Sequence, residues 1–299
     1  MSNLRLTMYN SDLFRNVYEF SALGFSDYNY REPLYWAFGK IVTEISGDPW
    51  IAVTTLDVTA AISIFLSLRS RKLSLIAVAA LALSPLFVLG ICNIHRQFIA
   101  FAVWLLVVRR GSDDKIDVKS FYHGIPFLIH NSLGILSIVY FLAVLVSERR
   151  WSLLIALGIV GIALLVGFGN AISGFFREGT DTTTSLGLYL MWSVLVGVVA
   201  VLMFPEWRFL RWFAVLGTIF SIVLFVGSGG SSGSRFFMLV VTAMAFWLFD
   251  RQKFEKADFR TTALLSSLGV LLVVPTLTNA FSRDIVVAAY YDLPFGMAL

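Results

Sequence analysis

The feature that most constrains this chain is a series of apolar stretches, each near the length needed to cross a bilayer. A helix of about 20 apolar residues spans the hydrocarbon core, and such stretches recur along the whole 299-residue chain. Only 14% of the residues are charged, against about 25% in a soluble domain. The sequence therefore predicts an all-α, polytopic membrane protein.

About ten transmembrane helices are predicted, several of them shorter than the ~20 residues that cross a bilayer upright. The predicted spans are 50–68, 73–91, 97–108, 119–130, 132–147, 152–168, 186–204, 209–227, 236–249 and 261–281. A single integral membrane domain over residues 1–299 follows from this pattern.

The basic residues set the orientation of these helices, because Lys and Arg concentrate in cytoplasmic loops. The cluster Arg69, Arg71 and Lys72 is therefore placed inside, and alternation then puts most of the 23 Lys and Arg residues inside. Residues 1–48, ahead of the bundle formed by 50–281, and the tail 282–299 are predicted to be extracytoplasmic. Since no signal peptide precedes residues 1–48, we expect a further N-terminal helix to be missing from this start.

Basic residues on the outer side break the topology rule and mark a predicted anion site. Arg96 and Arg235 stand at the outer starts of two inward-running helices, where N–H groups and the helix dipole favour anions. Asn93 is predicted to cap the first helix, next to Gln97, and a Gly/Ser-rich stretch over 227–234 precedes Arg235. We predict that Arg96, Arg235, Gln97 and Asn93 bind phosphate or pyrophosphate.

Two more titratable residues are predicted on the same side, at about the same depth. His130 lies in "FLIHNS" between two short helices, and Glu32 lies in "YNYREPLYW" just before the first helix. Aromatic rings beside a carboxylate and an arginine suit the stacking of sugars and the binding of their hydroxyls. The residues predicted to bind sugar in this way are Arg31, Tyr28, Tyr30, Tyr35 and Trp36.

Each of these residues also has a purely structural interpretation. Arg96 can snorkel to the interface, Arg235 can be an ordinary loop arginine, and His130 can be a structural hydrogen-bond partner. Arg31 and Glu32 can form a surface pair of little energetic value. Their shared side and depth favour a common site.

Other chemistries lack support in the sequence. The histidines (His95, His123 and His130) and Cys92 show no metal-ligand spacing. No nucleotide-binding loop or nucleophile elbow occurs, so we predict no metal, no cofactor and no nucleic-acid partner. Asp57 is the only charge in the middle of a predicted helix, and such charges are typical of ion-coupled transport. It keeps a transporter as an alternative.

The motifs "REPLYW", "NIHRQFIAFAVWL", "FLIHNSLGIL" and, more loosely, "SGSRF" occur in the order and spacing of a known family. Over about residues 16–250 the chain resembles the EpsG-like, Wzy-type polysaccharide polymerases of bacterial envelopes. That family usually has a helix ahead of the "REPLYW" region, which this chain is expected to lack, in agreement with the expectation of a missing N-terminal helix.

The resemblance implies a metal-independent glycosyltransferase of GT-C-like architecture in the bacterial inner membrane. Its substrate would be a polyprenyl-pyrophosphate-linked oligosaccharide, polymerised at the outer face during O-antigen, capsule or exopolysaccharide synthesis. Arg96 and Arg235 would hold the pyrophosphate, and His130 or Glu32 would take the acceptor's proton. The bilayer, a chain-length regulator and a flippase would be its partners.

Two alternatives stay open at this stage. An O-antigen ligase would use the same donor, but it usually has a large periplasmic loop, and the longest predicted outer loop here is 169–185. A lipid-linked oligosaccharide flippase would place charges along a central cavity, whereas this sequence places them at one mouth.

Overall fold

The computed structural model describes most of the N-terminal half of the chain and two later helices. The described residues are 11–22, 24, 25, 29–69, 82, 86, 87, 95–110, 122, 124–152, 155, 208–228 and 231–250. Every regular element within them is helical, which confirms the all-α class for this part of the chain.

Eight α-helices and one 3₁₀ turn are defined among these residues. They are α1 (Ser11–Ser21), the 3₁₀ turn Asn29–Arg31, α2 (Pro33–Ser46), α3 (Pro49–Arg69), α4 (His95–Arg110), α5 (Gly124–Ile129), α6 (Asn131–Ser147), α7 (Arg208–Ser228) and α8 (Ser231–Asp250). The predicted spans 50–68, 97–108, 132–147, 209–227 and 236–249 fall on α3, α4, α6, α7 and α8.

Four of the five remaining predicted spans lie largely or wholly outside the described residues, and the fifth, 119–130, is described in part. Of 119–130, the structure describes residue 122, α5 and residue 130; of 73–91 and 152–168 it describes isolated positions, and of 186–204 and 261–281 none. One described segment, Pro49–Leu68, is long and apolar enough to cross a membrane, with a mean hydropathy of 1.9. Three apolar segments within α4, α6 and α8 are shorter, so ten crossings stay a prediction.

The predicted extracytoplasmic segment 1–48 contains two helices that pack together. In α1 the buried residues Leu13, Asn16 and Phe20 recur at helical spacing, so one face is covered. The ring of Phe20 occupies the space that a Cβ on Gly39 of α2 would need. A glycine at this position therefore lets α1 approach α2 closely.

Local signals set both ends of α2 and the start of α3. Pro33 begins α2 with its fixed φ, and Gly47 ends it in the left-handed conformation with φ 73°. Asp48 then accepts the Trp50 N–H at 2.9 Å through Oδ1, which caps α3. The turn between the two helices is short, so they pack as neighbours in sequence and in space.

The chain divides into two compact units. In the first, which contains α1–α5, α3 packs against α2 and α4, and α5 packs against α4 and α2. Most of α4 is interior, including Ile99, Phe101 and Trp104, which are at most 1% exposed. The second unit contains most of α6, α7 and most of α8, and there Tyr140 meets Phe209 with ring centroids 5.4 Å apart.

Candidate functional site

The polar side chains of the first unit converge where α2, α4 and α6 begin. Glu32 occupies the N-cap position of α2, yet its carboxylate makes no capping hydrogen bond. Arg96 lies in the first turn of α4, and His130 directly precedes α6. Helix starts bring backbone N–H groups and a positive dipole end to this place.

Glu32 lies between an arginine and a histidine, one carboxylate oxygen toward each. Arg96 donates from Nη1 to Glu32 Oε2 at 2.6 Å, and His130 Nε2 lies 3.4 Å from Oε1. The side chain of Glu32 is 7% exposed, that of Arg96 12% and that of His130 22%. The guanidinium carbon of Arg96 also lies 5.5 Å from the centre of the Trp36 ring, a cation–π contact.

The opposite edge of the His130 ring is held by Ser132. The Ser132 N–H donates to His130 Nδ1 at 3.2 Å, and Ser132 Oγ lies 2.7 Å from the same nitrogen. Gln97 Nε2 in turn donates to Ser132 Oγ at 3.3 Å. Because Nδ1 accepts a backbone N–H, we assign the proton of the neutral ring to Nε2, facing Glu32.

A second imidazole, that of His95, makes a similar bridge nearby in the chain. Tyr35 Oη lies 2.9 Å from His95 Nδ1, and His95 Nε2 lies 3.0 Å from Asp57 Oδ1. His95 and Tyr35 are each 1% exposed. In both bridges a hydroxyl meets Nδ1 and a carboxylate meets Nε2.

The structure brings together four residues that the sequence predicted for the site, namely Glu32, Arg96, Gln97 and His130. It adds Ser132, His95 and Asp57, which the sequence analysis did not assign to it. The signals for these three were weak: a serine near a predicted turn, a histidine beside Arg96, and a single charge inside an apolar helix.

The residues predicted to bind sugar are placed differently from one another. Tyr35 and Trp36 are buried, at 1% and 0% exposure, whereas Tyr30 is 69% exposed and Arg31 is half-buried. In this conformation the rings of Tyr35 and Trp36 face the interior, and the Tyr35 hydroxyl meets His95. Their contact with sugar stays a prediction.

Three further predicted residues lie outside the described part of the first unit. Arg235 is exposed in the first turns of α8, within the second unit. Tyr28 and Asn93 lie outside the described residues. Their predicted roles stay predictions.

This arrangement can bind anions and move protons. A guanidinium supplies charge and directed N–H donors to an anion, and a carboxylate held by an imidazole can accept a proton. Within the part of the chain that the structure describes, no group of three or more His, Cys, Asp or Glu side chains is placed to hold a metal ion.

Comparison with known protein families gives a match. The model of the EpsG family matches residues 4–293, nearly the whole chain. Neither a curated protein nor a solved structure matches the chain significantly.

Proposed function

Because the chain belongs to the EpsG family, whose members are polysaccharide polymerase-like and generally membrane-associated, we propose that it polymerises lipid-linked oligosaccharides. Its substrates are repeat units carried on polyprenyl pyrophosphate at the outer face of the bacterial inner membrane. The proposal includes the ten-helix, GT-C-like bundle and a metal-independent reaction. The observation that carries it is the Glu32 carboxylate held between Arg96 and His130.

The proposed reaction transfers the growing glycan to a sugar hydroxyl of the incoming unit. The bond between the anomeric carbon and the pyrophosphate oxygen breaks, and the bond from that carbon to the hydroxyl oxygen forms. Polyprenyl pyrophosphate leaves with the electron pair, and the proton of the hydroxyl passes to a base. The protein therefore needs an anion-binding group and a proton acceptor at one place.

Arg96 is the proposed anion-binding group. Its guanidinium stabilises the charge that develops on the leaving pyrophosphate, a role that metal ions have in other transferases. Gln97 and the first turn of α4 add polar groups beside it, and Arg235 is proposed as a second cation for the same anion. The low exposure of Arg96 strengthens its electrostatic effect, because water screens it less.

Glu32 is the proposed base, and His130 positions it. Both ring nitrogens of His130 are engaged, Nε2 toward Glu32 and Nδ1 with Ser132, so the carboxylate is the better proton acceptor. When pyrophosphate draws Arg96 away, Glu32 loses a neutralising partner and becomes the stronger base. Binding of the donor would thus activate the base.

Deletion and complementation test the proposal. The gene is deleted in its host, the wild-type gene is returned, and the surface polysaccharide is separated by size. We expect the deletion strain to carry single repeat units on the anchor and the wild-type gene to restore long chains. A deletion strain without any repeat unit on the anchor would contradict polymerisation and favour a ligase or a flippase.

The metal-independent chemistry has its own test. Purified protein in lipid vesicles is given a polyprenyl-pyrophosphate-linked repeat unit, with and without excess EDTA. We expect the same rate of chain extension in both samples. Loss of extension with EDTA, and its recovery with a divalent cation, would contradict the role given to Arg96.

A further inference from the structure

We propose that Asp57 is a positioning residue for the site, acting through His95 on Arg96 and through Tyr35 on Glu32. This deepens the proposed function and rests on it. Asp57 is the charge that the sequence places in the middle of a predicted transmembrane helix, the polymerase mechanism leaves it without a role, and the structure gives it a specific partner.

The hydrogen bonds of His95 give the ring a defined orientation. A carboxylate only accepts hydrogen bonds, so the His95 nitrogen that faces Asp57 at 3.0 Å carries a proton. In the neutral ring, Nδ1 then accepts the hydroxyl proton of Tyr35 at 2.9 Å. A carboxylate that orients an imidazole in this way fixes its tautomer.

Through this one ring, three helices are tied together. His95 in α4 is 38 residues from Asp57 in α3 along the chain. It is 60 residues from Tyr35 in α2. The histidine and tyrosine of the bridge are screened from water, since His95 and Tyr35 are each 1% exposed, whereas the side chain of Asp57 is 25% exposed. The hydrogen bonds of the bridge therefore hold the first turns of α2 and α4 at a fixed spacing.

The same two turns carry the site. Arg96 directly follows His95, and Glu32 precedes Tyr35 by one helical turn. A shift of α4 relative to α2 would displace Arg96 from its place beside Glu32, where the two side chains lie 2.6 Å apart. Misplacement by about 1 Å can cost 100-fold in rate, so the bridge controls whether the anion-binding group and the base are in place.

This role also explains why a carboxylate lies inside a helix that is long and apolar enough to cross a membrane. The explanation does not require an ion-conducting path. Charges at such positions are costly and normally pair with another group. Asp57 lies within the segment Pro49–Leu68 and pairs with the buried imidazole of His95. Asp57, the residue that favoured a transporter in the sequence analysis, thus has a role in positioning the site.

Histidine NMR tests the bridge without any substrate. The sequence has only three histidines, so the full chain labelled with [15N]histidine in lipid vesicles gives few ring signals, and His95→Gln identifies that of His95. In Asp57→Asn we expect the His95 Nε2–H signal to move upfield, because a neutral amide accepts more weakly than a carboxylate. We also expect the His130 signal to change, because Glu32 moves.

The response of His130 separates positioning from a local structural role. If Asp57→Asn changes only the His95 signal, Asp57 supports its own helix and the proposal is wrong. The matched control is Asp48→Asn, which removes the same charge from the cap of the same helix, where Asn caps equally well. We expect it to change neither signal. If Asp57→Asn does not fold, Tyr35→Phe removes the other end of the bridge and must change both signals.

Activity gives the second readout. In the vesicle assay, Asp57→Asn is expected to lower the rate of chain extension about 10-fold or more. In an Arg96→Lys background it should cost less than about twofold, because the group it positions is already altered. Equal losses of rate in the wild-type and Arg96→Lys backgrounds would overturn the positioning role of Asp57. A wild-type protein that extends no chains would instead overturn the proposed function, and the NMR result would then decide whether the bridge positions the site.

Discussion

Two arginine–glutamate pairs in this protein have the same length and very different settings. Arg96 pairs with Glu32 at 2.6 Å, and Arg150 pairs with Glu148 at 2.6 Å. The first pair joins residues 64 apart in the chain, with side-chain exposures of 12% and 7%. The second is local, just after α6, with exposures of 47% and 22%.

The difference teaches that surroundings, and not distance, distinguish the pair that we propose to be functional. Water screens the Arg150–Glu148 pair, which therefore contributes little to stability. The Arg96–Glu32 pair bears a desolvation cost that its attraction often only balances. Glu32 also faces His130, and Arg96 faces Trp36, so this pair belongs to a network that fits the role proposed for it.

Removing the arginine from each pair is expected to give the largest difference in the rate of chain extension. Arg96→Ala removes the charge that holds the leaving group and strands a buried carboxylate, so we expect about a 1,000-fold loss of chain extension. Arg150→Ala should stay within about twofold of wild type. The measurement is the rate at which vesicle-embedded protein extends a lipid-linked repeat unit, with insertion checked for each variant.

If Arg96→Ala and Arg150→Ala have equal activity, the proposed difference in function between the two pairs is wrong. Arg96 would then be only an interfacial anchor, as its structural interpretation allows. Thermal unfolding adds a second contrast, because breaking a buried pair costs about 3 kcal/mol and breaking a surface pair about 0.5 kcal/mol.

Neutralising the carboxylate should have the next largest effect. Glu32→Gln keeps the shape of the side chain, loses the proposed base and presents an amide to Arg96, so we expect about a 100-fold lower rate. The same assay measures it. If the substrate concentration for half-maximal rate rises while the maximal rate is unchanged, Glu32 only orients the sugar.

Loss of the serine hydroxyl should have the smallest effect of the three. In Ser132→Ala the backbone N–H at position 132 still donates to His130 Nδ1, so only the contacts of Oγ disappear. We expect about a tenfold reduction or less, the equivalent of one hydrogen bond. The control is Ser147→Ala at the other end of α6, where the hydroxyl bonds only the local Val144 carbonyl. A loss as large as that of Glu32→Gln would make Ser132 part of the chemistry.

The sequence by itself determined the helical class of the described residues and which three polar side chains lie on one side of the bundle. Apolar length and caps act over a few residues, which is why the predicted span 50–68 agrees with α3, Pro49–Arg69. The topology rule placed Glu32, Arg96 and His130 on one side, and the structure brings those three together. Their motifs also carried the resemblance to the family that the comparison confirms.

Only the tertiary structure decided which atoms meet and which rings are covered. The rings of Tyr35 and Trp36 were predicted from the sequence to bind sugar, but Phe20 of α1 and the side chains of His95 and Arg96 of α4 contact them, and both rings are buried. The bond between Asp57 and His95 crosses 38 residues, and no local pattern encodes such a contact. Hydropathy and capping depend on neighbours in the chain, whereas a pairing between helices depends on how whole helices pack.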